Sequence, residues 1–318
     1  MPATHPAPKR EPSVSADPAR TNPAWTAFVL IAMPIMFASN LVLGRAAVST
    51  IEPFTLAFWR WLIATLIMLP FVAGALRRYA VDLLRLVPLL LVLAVLGMMV
   101  CGAGVYLGLR HTTATNGTLI YTTSPAFIVL FEMILGRRPF SALQFIGIAL
   151  ATFGVAVIVS HGDLASLAGL GFNPGDIAIL AAAIAWAIYS ILLRDRRLQA
   201  LPGRVLFGAI AAAGTLVLMP VWLFEGASHG FFPAAAGAWI TVAALAVVPS
   251  VLAFLAYQWL VREVGAARTG MALYFMPIVG VGLAAIFLGE TVHSYHLVGT
   301  LLTIGGVVLA TLSGTRRL

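Results

Sequence analysis

Apolar residues run along this chain in long blocks, broken by short stretches rich in glycine, proline and charge. A helix needs about 20 mostly apolar residues to cross a bilayer. Blocks of about that length cover residues 25–44, 54–75, 84–109, 113–135, 141–160, 176–194, 203–224, 235–261, 267–288 and 293–313. The pattern predicts an all-α integral membrane protein of ten transmembrane helices. The third and eighth blocks are long enough to tilt or to protrude from the lipid. Breaks fall at polar clusters such as His161-Gly-Asp163 and Gly171-Phe-Asn-Pro-Gly175.

The blocks also repeat. Leu135-Gly136 matches Leu288-Gly289, Gly117 matches Gly270 and Tyr121 matches Tyr274, each at an offset of 153 residues. Pro125 pairs with Pro277 and Gly147 with Gly299 at 152, while Arg45 with Arg194 and Pro53 with Pro202 fit at 149. Five spans per copy is an odd number, so the second copy must enter the membrane upside down. Inverted repeats of this kind mark secondary transporters, with the substrate held near the midplane where the copies meet. The expected organisation is a disordered, proline-rich tail over residues 1–23, a first repeat over 24–160, a second over 176–313 and a basic end over 314–318.

Composition agrees with a lipid setting. Apolar residues make up 61% of the 318, charged residues only 9%, and mean hydropathy is +1.01, where a soluble domain carries about 25% charged residues. The net charge of +8 would suit nucleic acid, but the placement of the bases explains it otherwise. With the N-terminus inside, sixteen of the nineteen Lys and Arg fall in the tail, in the loops on the inner side or at the C-terminal end. Arg45 and Arg110 stand at outer ends and Arg60 lies within the second span. Such bias places both termini in the cytoplasm, and no nucleic-acid partner is expected. The single Cys101 cannot form an intrachain disulfide.

Several marks now resemble the EamA-type permeases of the drug/metabolite transporter superfamily, over nearly the whole chain after the tail. They are Phe37-Ala-Ser-Asn40 in the first helix, Pro53 followed by Phe58-Trp-Arg60, and Tyr106 ahead of Ala114. Further on come Pro125 before Leu135-Gly136, and Pro277 before Leu288-Gly289-Glu290 and His296-Leu-Val-Gly299. The family's Gly-Glu pair is intact at Gly289-Glu290, whereas Arg137 replaces the acid in the first half. Within the superfamily the chain looks most like bacterial exporters of amino acids, aromatic ones included. The resemblance implies an inner-membrane protein whose first four helices in each repeat surround a cavity, with the fifth and tenth outside it.

The charges narrow the substrate. No acidic residue falls at the middle of an expected span; Glu132 and Glu290 lie near span ends. A carboxylate in the membrane normally marks a cation site or proton relay, so uniport or exchange is expected in place of proton-coupled cation export. Phosphorylated sugars would demand several buried bases, and only Arg60 is deep. Two readings of Arg60 stand: a structural group paired with a carbonyl or snorkelling to the interface, or a substrate contact. A small zwitterion such as an amino acid fits better than a polyanion. Other metabolites or drugs carried by the same fold, and a membrane sensor or scaffold without transport, are the alternatives.

Candidate contacts follow from helical spacing. They are Asn40, with Met33 and Phe37 on its face; Met98 and Tyr106; Tyr121; Trp186 and Tyr189; Tyr257 and Gln258; and Tyr274. Each aromatic has an alternative role in packing or at the lipid interface. Pro125 and Pro277 break backbone hydrogen bonds and read as hinges or static kinks. Glycines 104 and 108, and 147, 154, 299, 305 and 306, read as helix-packing positions; a homodimer contact through the tenth helix is left open. His293 and His296 could share a face, but only the nearby Glu290 could add a third ligand. No metal or other cofactor is expected, and no nucleophile–base pair suggests an enzyme.

Overall fold

In the computed structural model the described residues are 22–136, 142–163, 173–264, 269 and 272–312, with the backbone alone for Val261, Arg262, Tyr274, Thr311 and Leu312. The expected disordered tail up to Thr21 and the basic end 314–318 lie outside them. The described residues form helices α1 Pro23–Ala47, α2 Pro53–Arg78, α3 Val87–Leu109, α4 Ala114–Ile134, α5 Ala142–Val159, α6 Pro174–Leu192, α7 Gly203–His229, α8 Ala236–Leu260, α9 Met276–Leu288 and α10 Ser294–Leu312. The first eight are long and apolar enough to cross a membrane, and α9 and α10 are shorter apolar helices. The expected third span began at 84. Instead a short helix Ala80–Arg85 precedes α3. The new helix starts at Val87, with Pro88 in its first turn, where the missing N–H would have had no helical partner.

Local chemistry sets the helix ends. Asn22 and Asn173 cap α1 and α6 by accepting from Ala24 and Gly175 N–H groups, at 3.0 and 2.8 Å. Leu135-Gly136 and Leu288-Gly289, matched in sequence, end α4 and α9 in the same way. Gly136 and Gly289 take φ of +65° and +66°, a left-handed conformation that stops a helix and favours glycine.

Three interruptions shape the interior. α3 winds as a π-helix over Val95–Gly104, and α8 does so over Ala246–Leu252. α4 is broken at Thr122 and Thr123, with Pro125 in the first turn of its second segment. Pro277 was expected in mid-helix, but it stands in the first turn of α9, after a 3-10 turn Leu273–Phe275.

The main core joins α2, α3, α6 and α7 around Leu56, Trp61, Met98, Tyr106, Ile179 and Leu218. α5 and α10 pack on each other through glycine. A Cβ at Gly147, Gly154, Gly299 or Gly306 would overlap backbone of the facing helix, and at Gly154 and Gly299 also the Thr303 and Ile158 side chains. The glycine stripe of α10 considered for a homodimer is thus used within the chain; of its three glycines, Gly305 alone meets open space. Gly108 likewise admits α6, its would-be Cβ 3.0 Å from the Gly175 carbonyl.

A leucine introduced by Gly306→Leu should therefore force α5 and α10 apart and cost about 1–3 kcal/mol, while Gly305→Leu should be nearly neutral. Thermal unfolding of the purified protein in detergent checks this; equal melting temperatures for the two variants would refute the packing assignment.

Candidate functional site

The site begins at a proline inside α8. Pro249 has no N–H to give the Leu245 carbonyl in α-helical register, and the chain winds there in the i→i+5 register of a π-helix. Ser250 Oγ also donates to Leu245 O, at 2.8 Å. The same hydroxyl accepts from Arg60 Nε at 2.7 Å. Arg60 Nη1 donates to Asn40 Oδ1 at 2.7 Å and to Tyr106 Oη at 2.6 Å, and Tyr106 donates on to Asn40 at 2.9 Å. Gly44 on α1 makes room for the tyrosine ring, which a Cβ there would strike at 2.6 Å.

Arg60 is 4% exposed. Its guanidinium carbon lies 4.9 Å from the ring centre of Trp61 and 5.8 Å from that of Tyr106. Both are cation–π distances. Of the two readings of Arg60, the structural one foresaw a carbonyl partner or an interfacial position; among the described residues its partners are instead neutral side chains of α1, α3 and α8. Beside it, the Trp61 indole N–H is buried with no acceptor among the described residues, facing Gly102 of the α3 π-helix.

Aromatic groups stand in the helices around this node. In one, Tyr121 of α4 and Trp186 of α6 have ring centres 6.4 Å apart, and Trp186 stacks on Tyr189 at 5.1 Å. Gly97 in the π-helix accepts the Tyr189 ring, whose nearest atom would be 2.9 Å from a Cβ. The break in α4 holds Tyr121 by the device seen at Pro249. Pro125 leaves the Tyr121 carbonyl without its helical donor, and Ser124 Oγ donates to it at 2.6 Å. A second group, on the helices of Asn40 and Ser250, has Phe37 meeting Phe254 and Tyr257 edge-on, at 5.4 and 6.5 Å; Tyr257 lies nearer Arg194.

The expected contacts thus divide. Asn40 and Tyr106 join the node; Tyr121, Trp186 and Tyr189 form one aromatic group and Tyr257 belongs to the other. Met98 is buried against Gly214 of α7. Gln258 lies against Gly203 and donates to its carbonyl at 3.4 Å. The Tyr274 side chain lies outside the described residues. Sequence reasoning missed Ser250, Trp61 and Phe254. The Pro249-Ser250 dipeptide was the available signal, since a hydroxyl beside a proline in lipid has a carbonyl to serve.

The two ends of the bundle differ. At one, Glu225 of α7 accepts from Thr55 N–H and Oγ at 2.6 and 2.8 Å, and from Phe54 N–H at 3.3 Å. Glu290 accepts from Ala114 and Thr115 N–H at the start of α4, both at 2.8 Å. His296 accepts from the His293 N–H through Nδ1, which leaves the proton on Nε2, 3.0 Å from Asn116 Oδ1. Both nitrogens are thereby engaged with protein. Buried Asp176 accepts from Thr112, and Arg110 pairs with Glu52 at 2.7 Å. At the opposite end buried Glu132 pairs with Arg194. A cavity of about 570 Å³ lies there, lined by Ile191, Leu192, Arg194, Asp195 and Arg196. Hydrogen bonds from Arg197 hold the Asp195 pKa down to about 2, so this carboxyl is anionic near neutral pH.

Comparison with known proteins follows the fold closely. A family model described as the EamA-like transporter family matches residues 24–160 and 173–312. An uncharacterized transporter of Bacillus subtilis, YyaM, is 26% identical over 290 residues, covering 89% of this chain and 92% of that protein. The uncharacterized inner membrane transporter YedA of Escherichia coli is 30% identical over 290 residues, 89% of each. A probable terminal-alkyne amino-acid exporter of Streptantibioticus cattleyicolor is 29% identical over 199 residues, 63% of this chain and 64% of that protein. One solved crystal structure superposes with a TM-score of 0.59 at 22% identity, over 92% of this chain and 98% of that one, a likeness of fold.

Ser250→Ala should strip a donor from Leu245 O and an acceptor from Arg60 Nε, lowering stability by about 1–3 kcal/mol. Ser250→Thr, which keeps the hydroxyl, should recover most of it. A detergent melting curve for Ser250→Ala that overlays the native protein would exclude the linkage.

Proposed function

The chain belongs to the EamA-like transporter family, and we propose that it exports amino acids, aromatic and neutral ones first, or similar small zwitterions by alternating access. It is a multi-pass membrane transporter, and its family and relatives are transporters rather than enzymes. The finer reading has ten spans in two inverted five-helix repeats, both termini in the cytoplasm of a bacterial cell, and the substrate held between the repeats. Support comes from matched sequence offsets, from the paired π-helical stretches of α3 and α8, and from the inward bias of the basic residues. In this orientation the end tied by Glu225 and Glu290 faces outward, and the cavity beside Arg194 opens toward the cytoplasm.

One observation carries the substrate class. Half-buried aromatic rings from both halves, Tyr121 with Trp186 and Phe37 with Tyr257, stand in the helices around a node with one cation and no carboxylate. A polyanion would need more positive charge, and an organic cation would need a negative one. An apolar or aromatic side chain suits the rings. The buried carboxylates Asp176 and Glu132 are bonded to Thr112 and Arg194 at the helix ends, which favours uniport or exchange over proton coupling. Pro125 and Pro277, at comparable places in α4 and α9, are the proposed hinges. The S. cattleyicolor relative, by its name a probable amino-acid exporter, points the same way.

Counterflow of labelled phenylalanine into proteoliposomes tests the function. Trp186→Ala and Tyr257→Ala should slow it about two- to tenfold at unchanged insertion, the worth of an aromatic contact; unaltered kinetics in both would assign these rings to packing. In a Cys101→Ala background, Ser228→Cys should react with an impermeant thiol reagent from outside intact cells. Asp82→Cys and Gln199→Cys should be shielded until the cells are opened, and the reverse pattern would overturn the topology.

A further inference from the structure

Every acidic side chain after the tail is accounted for away from Arg60. Glu52 pairs with Arg110, Glu132 with Arg194 and Asp195 with Arg197; Asp176 is bonded to Thr112, and Glu225 and Glu290 cap α2 and α4. The remaining three, Asp82, Asp163 and Glu263, are exposed in connections or at a helix end. A buried charge is normally paired or neutralised, yet Arg60 is bonded only to Asn40, Tyr106 and Ser250 among the described residues. Those bonds use Nε and Nη1; among the same residues nothing accepts from Nη2. The neighbouring Trp61 N–H, on a side chain 3% exposed, also lacks an acceptor there. Two donors and a positive charge meet where the described residues offer no anion.

We propose that Arg60 is the receptor for the α-carboxylate of the substrate, with Asn40, Tyr106 and Ser250 as the residues that position it. The assignment rests on the amino-acid exporter reading and names the group that recognises one end of the molecule. A guanidinium binds a carboxylate through two parallel N–H bonds, and Nη2 with a neighbouring nitrogen provides that fork. The Trp61 indole N–H is placed to serve a carboxylate oxygen, with Gly102 leaving space beside it. The substrate's ammonium group has no free carboxylate to meet, so it is held by ring faces such as Trp186, Tyr121 or Tyr257.

The node also crosses the two halves: Asn40, Arg60 and Tyr106 come from α1, α2 and α3, and Ser250 from α8. A carboxylate that takes the Nε–Nη2 edge competes with Ser250 for Nε. Substrate binding thereby loosens a bond between the halves at the place where alternating access requires them to move.

The experiment is counterflow of labelled phenylalanine by the native protein, with phenylalaninamide, 2-phenylethylamine and 3-phenylpropionate as competitors, followed by thermal shift with the same four compounds. The native protein should favour phenylalanine over its amide by about 10- to 100-fold, the worth of a charge-assisted bond. Arg60→Lys, which keeps the charge but not the fork, should retain a reduced preference, and Arg60→Gln should compete equally with acid and amide. Should Arg60→Gln not insert, the native series and Arg60→Lys decide alone. Phenylalanine transport with no preference over the amide, or a preference undiminished in Arg60→Lys, would overturn the receptor while leaving the exporter reading standing. Absence of counterflow with phenylalanine and every other amino acid tried would remove both.

Discussion

Hydrocarbon offers no hydrogen-bond partner, so the polar groups of this bundle turn to one another. The interior is organised by how that demand is met where regular helix fails. Pro125 and Pro249 each lack the N–H that an α-helix would use, and in each case the adjacent serine hydroxyl bonds to the carbonyl four residues before the proline. At Pro249 the chain winds as a π-helix, and the Ser250 hydroxyl is at the same time an acceptor for Arg60. An irregular stretch of α8 thus becomes the means by which a cation on α2 is held in the middle of the molecule. The π-helical winding of α3 adds glycines at 97 and 102, which admit Tyr189 and Trp61.

Among the described residues the ends of the bundle are tied unequally. Around Glu225, Glu290 and His296, carboxylates and an imidazole from the second half close directly on backbone and side chains of the first. Trp59 and Trp222 add a shared acceptor there, both donating to the Phe231 carbonyl at 2.9 and 3.1 Å. The opposite end holds the Glu132–Arg194 pair, the weak Gln258–Gly203 bond and a cavity of about 570 Å³, against about 170 Å³ beside Glu52, Thr55 and His229.

Much of the fold was legible because lipid imposes length on each apolar block, and blocks of that length mark α1 to α8 within a few residues. Helix stripes also put Trp186 and Tyr189 on one face of α6, where their rings stack. The partners of Arg60 were less legible. Helices apolar on nearly every side carry little amphipathic signal, so their rotation about their own axes, and hence which face meets which helix, is not written locally. Met98 illustrates this: helical spacing put it on the face of Tyr106, yet it fills the space left by Gly214. Gln258 is a second case, since its polarity suggested substrate while the start of α7 supplies its acceptor. Glu225 and Glu290 looked like ordinary helix-end acids because their partners lie 170 to 176 residues away in sequence.

Those two carboxylates bear on how the molecule comes to exist. The first turns of α2 and α4 have N–H groups at Phe54, Thr55, Ala114 and Thr115 whose acceptors are the glutamates of α7 and of the turn after α9. As the chain is made from its N-terminus, these helix starts stay incomplete until most of the second half has been synthesised. The first half is therefore a precursor waiting for its complement. However alike the two halves are in sequence, they divide between them bonds that either alone would need, and neither can be shed.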